Sequence, residues 1–312
     1  MVSRAQVSPY SPARRFFRRL FRERYLYLMM IPGLIIYILF CYWPMYGVVI
    51  AFKEFQPLKG ILGSPWAGMK YFNMFFGGAF FKRTLTNTVV LSVLNLIWTF
   101  PIPIIFALML NELKDGKFKR VSQTISYLPH FVSIVVVVGI MNNLFSPTGL
   151  IPSFLSRFME KPPNFLSDAK LFRTMYIGSE IWQHFGWNSI IYLAALSGID
   201  PSLYEAAHID GASRWRQILH VTLPGIQSTI IILLILACGS ILSVGFEKII
   251  LMYSPATYAT ADVISTYSYR IGILQSQYSF GAAVGLFNSV ANCFVLVVVN
   301  AIARRFSETS LF

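Results

Sequence analysis

Residues 200–246 read DPSLYEAAHIDGASRWRQILHVTLPGIQSTIIILLILACGSILSVGF. The first part is polar and carries Asp200, Glu205, Asp210, Arg214 and Arg216. From Gln217 to Phe246 there is no Asp, Glu, Lys or Arg for 30 residues. A bilayer core needs only about 20 apolar residues, so the second part reads as a membrane span. Four more charge-free stretches follow the same rule: Arg24 to Lys53, Arg83 to Glu112, Arg120 to Arg157 and Arg270 to Arg304 enclose 28, 28, 36 and 33 residues. A sixth apolar stretch contains one carboxylate, Glu180. The chain as a whole is 55% hydrophobic and 12% charged, against about 25% charged in soluble domains. The expected fold is all-α and polytopic, with spans at about 26–50, 85–110, 124–145, 175–197, 226–246 and 282–303.

Lysine and arginine placement sets the orientation. Arg4, Arg14, Arg15, Arg18, Arg19, Arg22 and Arg24 precede the first span, and Lys114, Lys117, Lys119 and Arg120 lie between the second and third. With six spans both groups fall on one side, expected to be the cytoplasm. The 200–224 segment and both termini then share that side. The first outside loop also holds five cations, so the bias is clear but not overwhelming. The organisation expected is a basic cytoplasmic segment 1–24, a transmembrane domain 25–306 containing the 200–224 loop, and a cytoplasmic tail 307–312. Anionic headgroups suffice to balance the net charge of +13, and no nucleic acid is implied. The first apolar stretch exceeds a signal-peptide core and lacks a small-residue cleavage site, so an uncleaved first helix is expected. The run Arg14 to Phe21 reads equally as an interfacial amphipathic helix or a simple positive anchor.

Asp200-Pro201-Ser202 is a helix start: Asp200 can cap and Pro201 fits the first turn. Ser202 and Glu205 also have capping-box spacing, and sequence does not choose between the two. Ala206 and Ala207 keep one side thin, and Gly211 suits the left-handed turn that ends a helix. A second helix is expected with Trp215, Ile218 and Leu219 on one apolar stripe, before Leu223-Pro224 opens the next span. A capped cytoplasmic connector would explain Asp200, Ser202 and Gly211, but not the whole pattern.

Glu-Ala-Ala, three residues, Gly, nine residues, then Val221-Thr222-Leu223-Pro224 resembles the EAA loop of permease subunits in binding-protein-dependent ABC importers, with Val221 where the family has Ile. Tyr127-Leu128-Pro129-His130-Phe131, Tyr42-Trp43-Pro44-Met45-Tyr46-Gly47, residues 261–267 and residues 277–287 are similar to the oligo- and polysaccharide branch, which includes lipo-oligosaccharide, aldouronate and alginate permeases. The resemblance covers most of residues 25–306. It implies the type I ABC importer permease architecture in a bacterial inner membrane. It also implies a second homologous permease, two ATPase subunits and an extracytoplasmic solute-binding protein that delivers a saccharide. Glu205, Ala206, Ala207, Asp210, Gly211, Leu223 and Pro224 would be the ATPase-coupling positions. The chain has no G-x-x-x-x-G-K-[ST] loop, so no cofactor is expected in it; ATP and Mg would be bound by the partner ATPase.

No nucleophile–base set or metal motif is present, and Cys41, Cys238 and Cys293 are scattered in apolar spans. Neither an enzyme nor a metal site is expected. A self-sufficient secondary transporter is the alternative, but it would need more intramembrane carboxylates than Glu180 alone.

For the solute path, Glu180 heads a face with Gln183, His184, Trp187 and Asn188, combining groups that bind sugar hydroxyls and stack on sugar rings. Glu180 can equally be a wetted group at the outer mouth. Asn288 with Asn292 and Asn95 with Trp98 are further pairs, explained as well by interhelical hydrogen bonds. The tyrosines at 253, 258, 267, 269 and 278 suit either an interfacial belt or sugar stacking, and a short helix is expected near Thr260. Arg173, His184 and Arg270 are the cations available to an anionic solute. Pro32, Pro44, Pro101, Pro103 and Pro129 mark kinks or span edges, more often packing features than gates.

Overall fold

A computed structural model describes residues 21–306. Among these the chain is helical; the one β-type pairing is an isolated bridge between Lys53 and Trp66. The expected segment 1–24 lies mostly outside the described residues, as does the tail 307–312.

The first helix, α1 (Arg24–Tyr37), continues through a π turn and a 3-10 segment to Phe52. Every side chain from Arg24 to Tyr46 is exposed. The second span is Phe81–Thr99 (α2) followed by Pro101–Glu112 (α3), jointed at Phe100; Pro101 and Pro103 sit in the first turn of α3, where a missing N–H costs least.

The third span differs from its expected bounds of 124–145. The chain forms α4 (Lys117–Tyr127), a 3-10 turn at Leu128–Phe131 and an extended step at Val132-Ser133 before α5 (Ile134–Phe145). Pro129 lacks an N–H to continue the ladder, and the Ser133 hydroxyl restarts it by accepting from Val136 N at 3.4 Å. The long apolar run therefore lies over residues 134–155.

The helix of the fourth expected span, α6 (Ala169–Ser197), starts earlier than expected because Asp168 caps it, accepting from Lys170 N at 2.8 Å. At about 1.5 Å per residue it is about 43 Å long.

The polar segment folds as α7 (Pro201–Ile209) and α8 (Arg214–Gln217). A π turn and a short helix then lead to α9 (Gln227–Gly239), bent by 61° from the helix before it. The expected span 226–246 thus stops at Gly239; Ser240–Gly245 is not helical. The short helices α10 (Phe246–Met252), α11 (Tyr258–Ala261) and α12 (Ile264–Tyr269) precede the last span, α13 (Tyr278–Phe306). The single helix expected near Thr260 is therefore two, separated at Asp262-Val263.

Among the described residues, four helical stretches are long and apolar enough to cross a membrane, and a fifth if the bent pair counts as one. The helix α6 is long enough to cross but carries Lys170, Arg173 and Glu180 and is not among these stretches.

Two clusters of buried residues fix the frame. Leu91, Phe172, Tyr176, Val244, Ile249 and Val263 join α2, α6 and the 244–263 region. Ala107, Tyr192, Leu196 and Ile226 join α3, α6 and the entry to α9. The second cluster anchors the polar segment, since Ile226 is fully buried two residues after Pro224.

Candidate functional site

The polar segment is built as its residue types dictate. Asp200 is the cap: its carboxylate accepts from Ser202 N at 2.9 Å, and that hydrogen bond holds its acid below the ordinary aspartate range. The Ser202–Glu205 box does not form. Gly211 has φ +74°. Its N–H reaches His208 O at 3.0 Å and Ala212 N reaches Ala207 O at 2.9 Å, the paired bonds of a Schellman stop. Tyr204 and Thr222 hydroxyls meet at 3.1 Å, tying α7 to the turn before Pro224. Glu205, Ala206 and Asp210 are exposed, Ala207 is half-buried, and Leu223 is half-buried beside the exposed Pro224. Trp215 and Leu219 of the expected stripe are exposed and Ile218 is half-buried, so the stripe faces mainly outward. Arg214 pairs within the chain, with Glu112 at 3.1 Å.

On α6, three expected residues converge and a fourth group, absent from the sequence reading, organises them. Lys248, 1% exposed, donates to Glu180 Oε1 at 2.7 Å and Gln183 Oε1 at 3.1 Å. Gln183 Nε2 donates to Val132 O at 3.0 Å, which satisfies the carbonyl at the break before α5. His184 lies 3.9 Å from Glu180, and its Nδ1 is 3.1 Å from Nδ1 of His130. His130 stacks on Trp187 with centroids 4.5 Å apart and rings parallel within 1°. Gly186 allows this approach: a Cβ there would stand 2.1 Å from Ser126 O. The signal for Lys248 was available, because a carboxylate inside a span needs a partner and Lys248 is the first cation beyond the span that follows.

This network borders a cavity of 660 Å³, lined among others by His130, Ser133, Gln183, His184 and Phe246. Asn188 is not part of it; it faces a separate cavity of 200 Å³ between α2, α6 and α9. Asn292 is occupied elsewhere: it accepts from Leu242 N at 2.9 Å and donates to Ser243 at 3.0 Å. It thus satisfies the backbone where α9 unwinds. Its i−4 neighbour Asn288 lines a third cavity, of 530 Å³. Asn95 is partly buried and Trp98 is exposed; neither touches the α6 network.

A second ionic cluster lies at the starts of α2 and α6. Asp262, fully buried, is gripped by Arg270 at 2.6 and 3.0 Å and by Arg83 at 3.2 Å. Burial opposes the Arg270 charge, but the hydrogen bonds and charge of Asp262 outweigh it and hold the guanidinium above its usual value. Asn87 bonds Asp262 O at 3.1 Å and accepts from Arg173 at 3.0 Å. Two arginines thus grip the carboxylate, and Arg173 joins the cluster through Asn87. Of the five tyrosines, Tyr258 lies under Arg270 at 4.6 Å and packs on Tyr253. Tyr267 is buried, while Tyr269 and Tyr278 line the 530 Å³ cavity.

Comparison with known proteins adds a lineage to this geometry. Residues 99–308 match the family described as binding-protein-dependent transport system inner membrane component. The chain is 45% identical over 292 residues to protein LplB of Bacillus subtilis, covering 93% of this chain and 92% of that protein. It is 43% identical over 300 residues to the polygalacturonan/rhamnogalacturonan transport system permease protein YteP of the same organism, covering 96% and 94%. A solved bacterial alginate ABC transporter, in complex with an alginate pentasaccharide-bound periplasmic protein, contains a chain that superposes with a TM-score of 0.87. That chain is 42% identical, with 95% of this chain and 100% of that one covered.

Proposed function

This chain belongs to the family of binding-protein-dependent transport system inner membrane components, and from that premise we propose that it forms half of the translocation path of an ATP-driven importer for acidic oligo- or polysaccharides. It is a non-catalytic permease subunit. The self-sufficient secondary transporter finds no support. In this reading the chain crosses the bacterial inner membrane six times, α6 included, with both termini and the 200–224 segment in the cytoplasm.

Driving comes through α7. Glu205, Ala206, Ala207, Asp210 and Gly211 form the exposed lever that seats in an ATPase subunit, and Leu223-Pro224 passes its movement to α9. ATP and Mg reside in that partner. A second permease completes the path, and a solute-binding protein delivers the saccharide. The Schellman stop at Gly211 and the Tyr204–Thr222 bond make the lever rigid, so displacement at α7 reaches the buried Ile226 rather than dissipating in the loop.

The observation that carries the saccharide class is the 660 Å³ cavity whose wall holds Gln183, His130 and His184. Amide and imidazole groups serve hydroxyls, and Phe131 and Phe246 on the same wall offer aromatic faces to a sugar's C–H side. The names of two relatives, one for polygalacturonan and one for alginate, support an acidic polymer. The test is ATPase stimulation of the reconstituted complex by its binding protein loaded with either oligogalacturonate or a neutral arabinooligosaccharide. Stimulation by the acidic ligand is expected; stimulation by the neutral one alone would overturn the assignment.

A further inference from the structure

The loop between the first two spans is tightly built. Ser64, buried, accepts from Gln56 N at 3.0 Å and donates to Gly60 O at 2.6 Å. Lys53 Nζ donates to Ile61 O at 2.7 Å and to Leu62 O at 3.3 Å. Glu54 N reaches Pro65 O at 2.9 Å, and Ala67 N and Gly68 N both reach Phe52 O. The chain turns at Gly60 and Gly68 with φ of 64° and 58°, which glycine allows. Yet the side chains that this frame holds outermost are apolar. Leu58 is fully exposed, and Leu62 and Trp66 are largely so. A fixed backbone that presents two leucines and an indole outward marks a contact surface.

Two spans set the height of this loop. The helix from Arg24 to Phe52 has 29 residues and is about 43 Å long at about 1.5 Å per residue. A bilayer with its headgroups measures ~40–45 Å, so Phe52 stands at one headgroup level when Arg24 stands at the other. The helix α13, also of 29 residues, begins at that same level: Ser279 Oγ in its first turn accepts from Phe55 N at 2.9 Å. Trp66 stacks on Phe52 with centroids 5.9 Å apart, the depth at which indole rings gather in membrane proteins. The first helix, exposed from Arg24 to Tyr46, runs directly into the loop. Lys59 is exposed between Leu58 and Leu62. A lone ammonium among leucines suits a phospholipid surface, where it stays at the phosphates while its neighbours enter the chains.

We propose that residues 57–66 form a foot that rests in the outer leaflet of the membrane. Leu58 and Leu62 lie below the headgroups, Trp66 lies at their level, and Lys59 meets their phosphates. Through Phe55 and Ser279 the foot holds the first turn of α13 at the membrane surface. This rests on the six-span topology given above.

The test uses the whole complex in lipid vesicles, with Cys41, Cys238 and Cys293 replaced by alanine. Leu58→Cys, Leu62→Cys and Glu160→Cys, the last an exposed position on the loop after α5, each carry a nitroxide spin label. Oxygen, which concentrates in lipid, and a nickel chelate, which stays in water, compete to relax it. Oxygen is expected to be the stronger relaxant at Leu58→Cys and Leu62→Cys, and the nickel chelate at Glu160→Cys. In a second measurement Lys59→Cys, in right-side-out vesicles, is expected to react with a membrane-impermeant maleimide added outside. Stronger relaxation by the nickel chelate at Leu58→Cys and Leu62→Cys places the loop in water. Exclusion of both relaxants places it against the second permease or the binding protein. Either result, with Lys59→Cys labelled from outside, overturns the foot and leaves the topology standing. Labelling of Lys59→Cys from the inner side alone overturns both.

Discussion

Glu180→Gln should be among the most damaging single substitutions in the membrane domain, and the reason lies in Lys248. At 2.7 Å and an effective dielectric of about 20, the pair attracts by about 6 kcal/mol, most of it offset by taking both charges out of water. Removing one partner keeps the desolvation of the other and forfeits the attraction, which costs about 3–5 kcal/mol in buried pairs. The two halves are not equivalent. Lys248 is 1% exposed and Glu180 19%, and Glu180 keeps His184 at 3.9 Å when the lysine is lost. Glu180→Gln is therefore expected at the upper end of that range, and Lys248→Met at its lower end. The double variant, with neither charge, should return to within about 1 kcal/mol of the parent protein. Unfolding of the purified complex by titration with SDS in mixed micelles measures all four corners of the cycle. Additive single costs, or Lys248→Met proving worse than Glu180→Gln, would refute the inferred coupling.

Gly211→Ala puts a side chain at φ +74° and should cost about 1 kcal/mol locally while uncoupling ATP hydrolysis from uptake; normal binding-protein-stimulated transport would count against the lever. Glu205→Lys should weaken capture of the ATPase subunit without altering membrane insertion, as co-purification stoichiometry would reveal. Asp262→Asn leaves Arg83 and Arg270 facing each other beside a neutral amide and should lower stability by about 3 kcal/mol, read as a lower melting temperature. Asp200 sets a pH limit on α7. Its acid is depressed in the folded chain, so its stabilising contribution is complete above the ordinary aspartate pKa and disappears as pH falls through the depressed value. Asp200→Asn, which also caps, should flatten that acid-side loss in hydrogen exchange of residues 201–209.

The gaps between charges located the apolar helices, because burying an unpaired charge in lipid is costly enough to leave its mark on composition. Caps and stops at Asp200 and Gly211 were equally legible, being set by neighbours within a few residues. Legibility ended where a structure depends on distant partners. Arg83 meets Asp262 across 179 positions, and no local pattern announces it. Lys248 was passed over because it lies one residue beyond Glu247, the boundary of a charge-free stretch, although its burial is what orders Glu180 and Gln183. Asn188, expected on the Glu180 face, and Asn292, expected to pair with Asn288 on the path or bond between helices, are each drawn elsewhere. The helix turns Asn188 toward another cavity, and the unwinding after Gly239 claims Asn292 for backbone repair. The break at Val132 was hinted at by Pro129, but its use as the acceptor for Gln183 was not.

The bare first helix has a consequence for how the protein is made. From Arg24 to Tyr46 every side chain is exposed, and α1 leads into the body through the 3-10 segment that ends at Phe52. Lipid is as good a neighbour as any for such a surface, so a newly inserted copy gains nothing from docking this helix on itself. The helix is therefore a surface left open to lipid or to a neighbouring subunit, and its hold on the rest of the chain begins where the 3-10 segment starts to bury at Gly47.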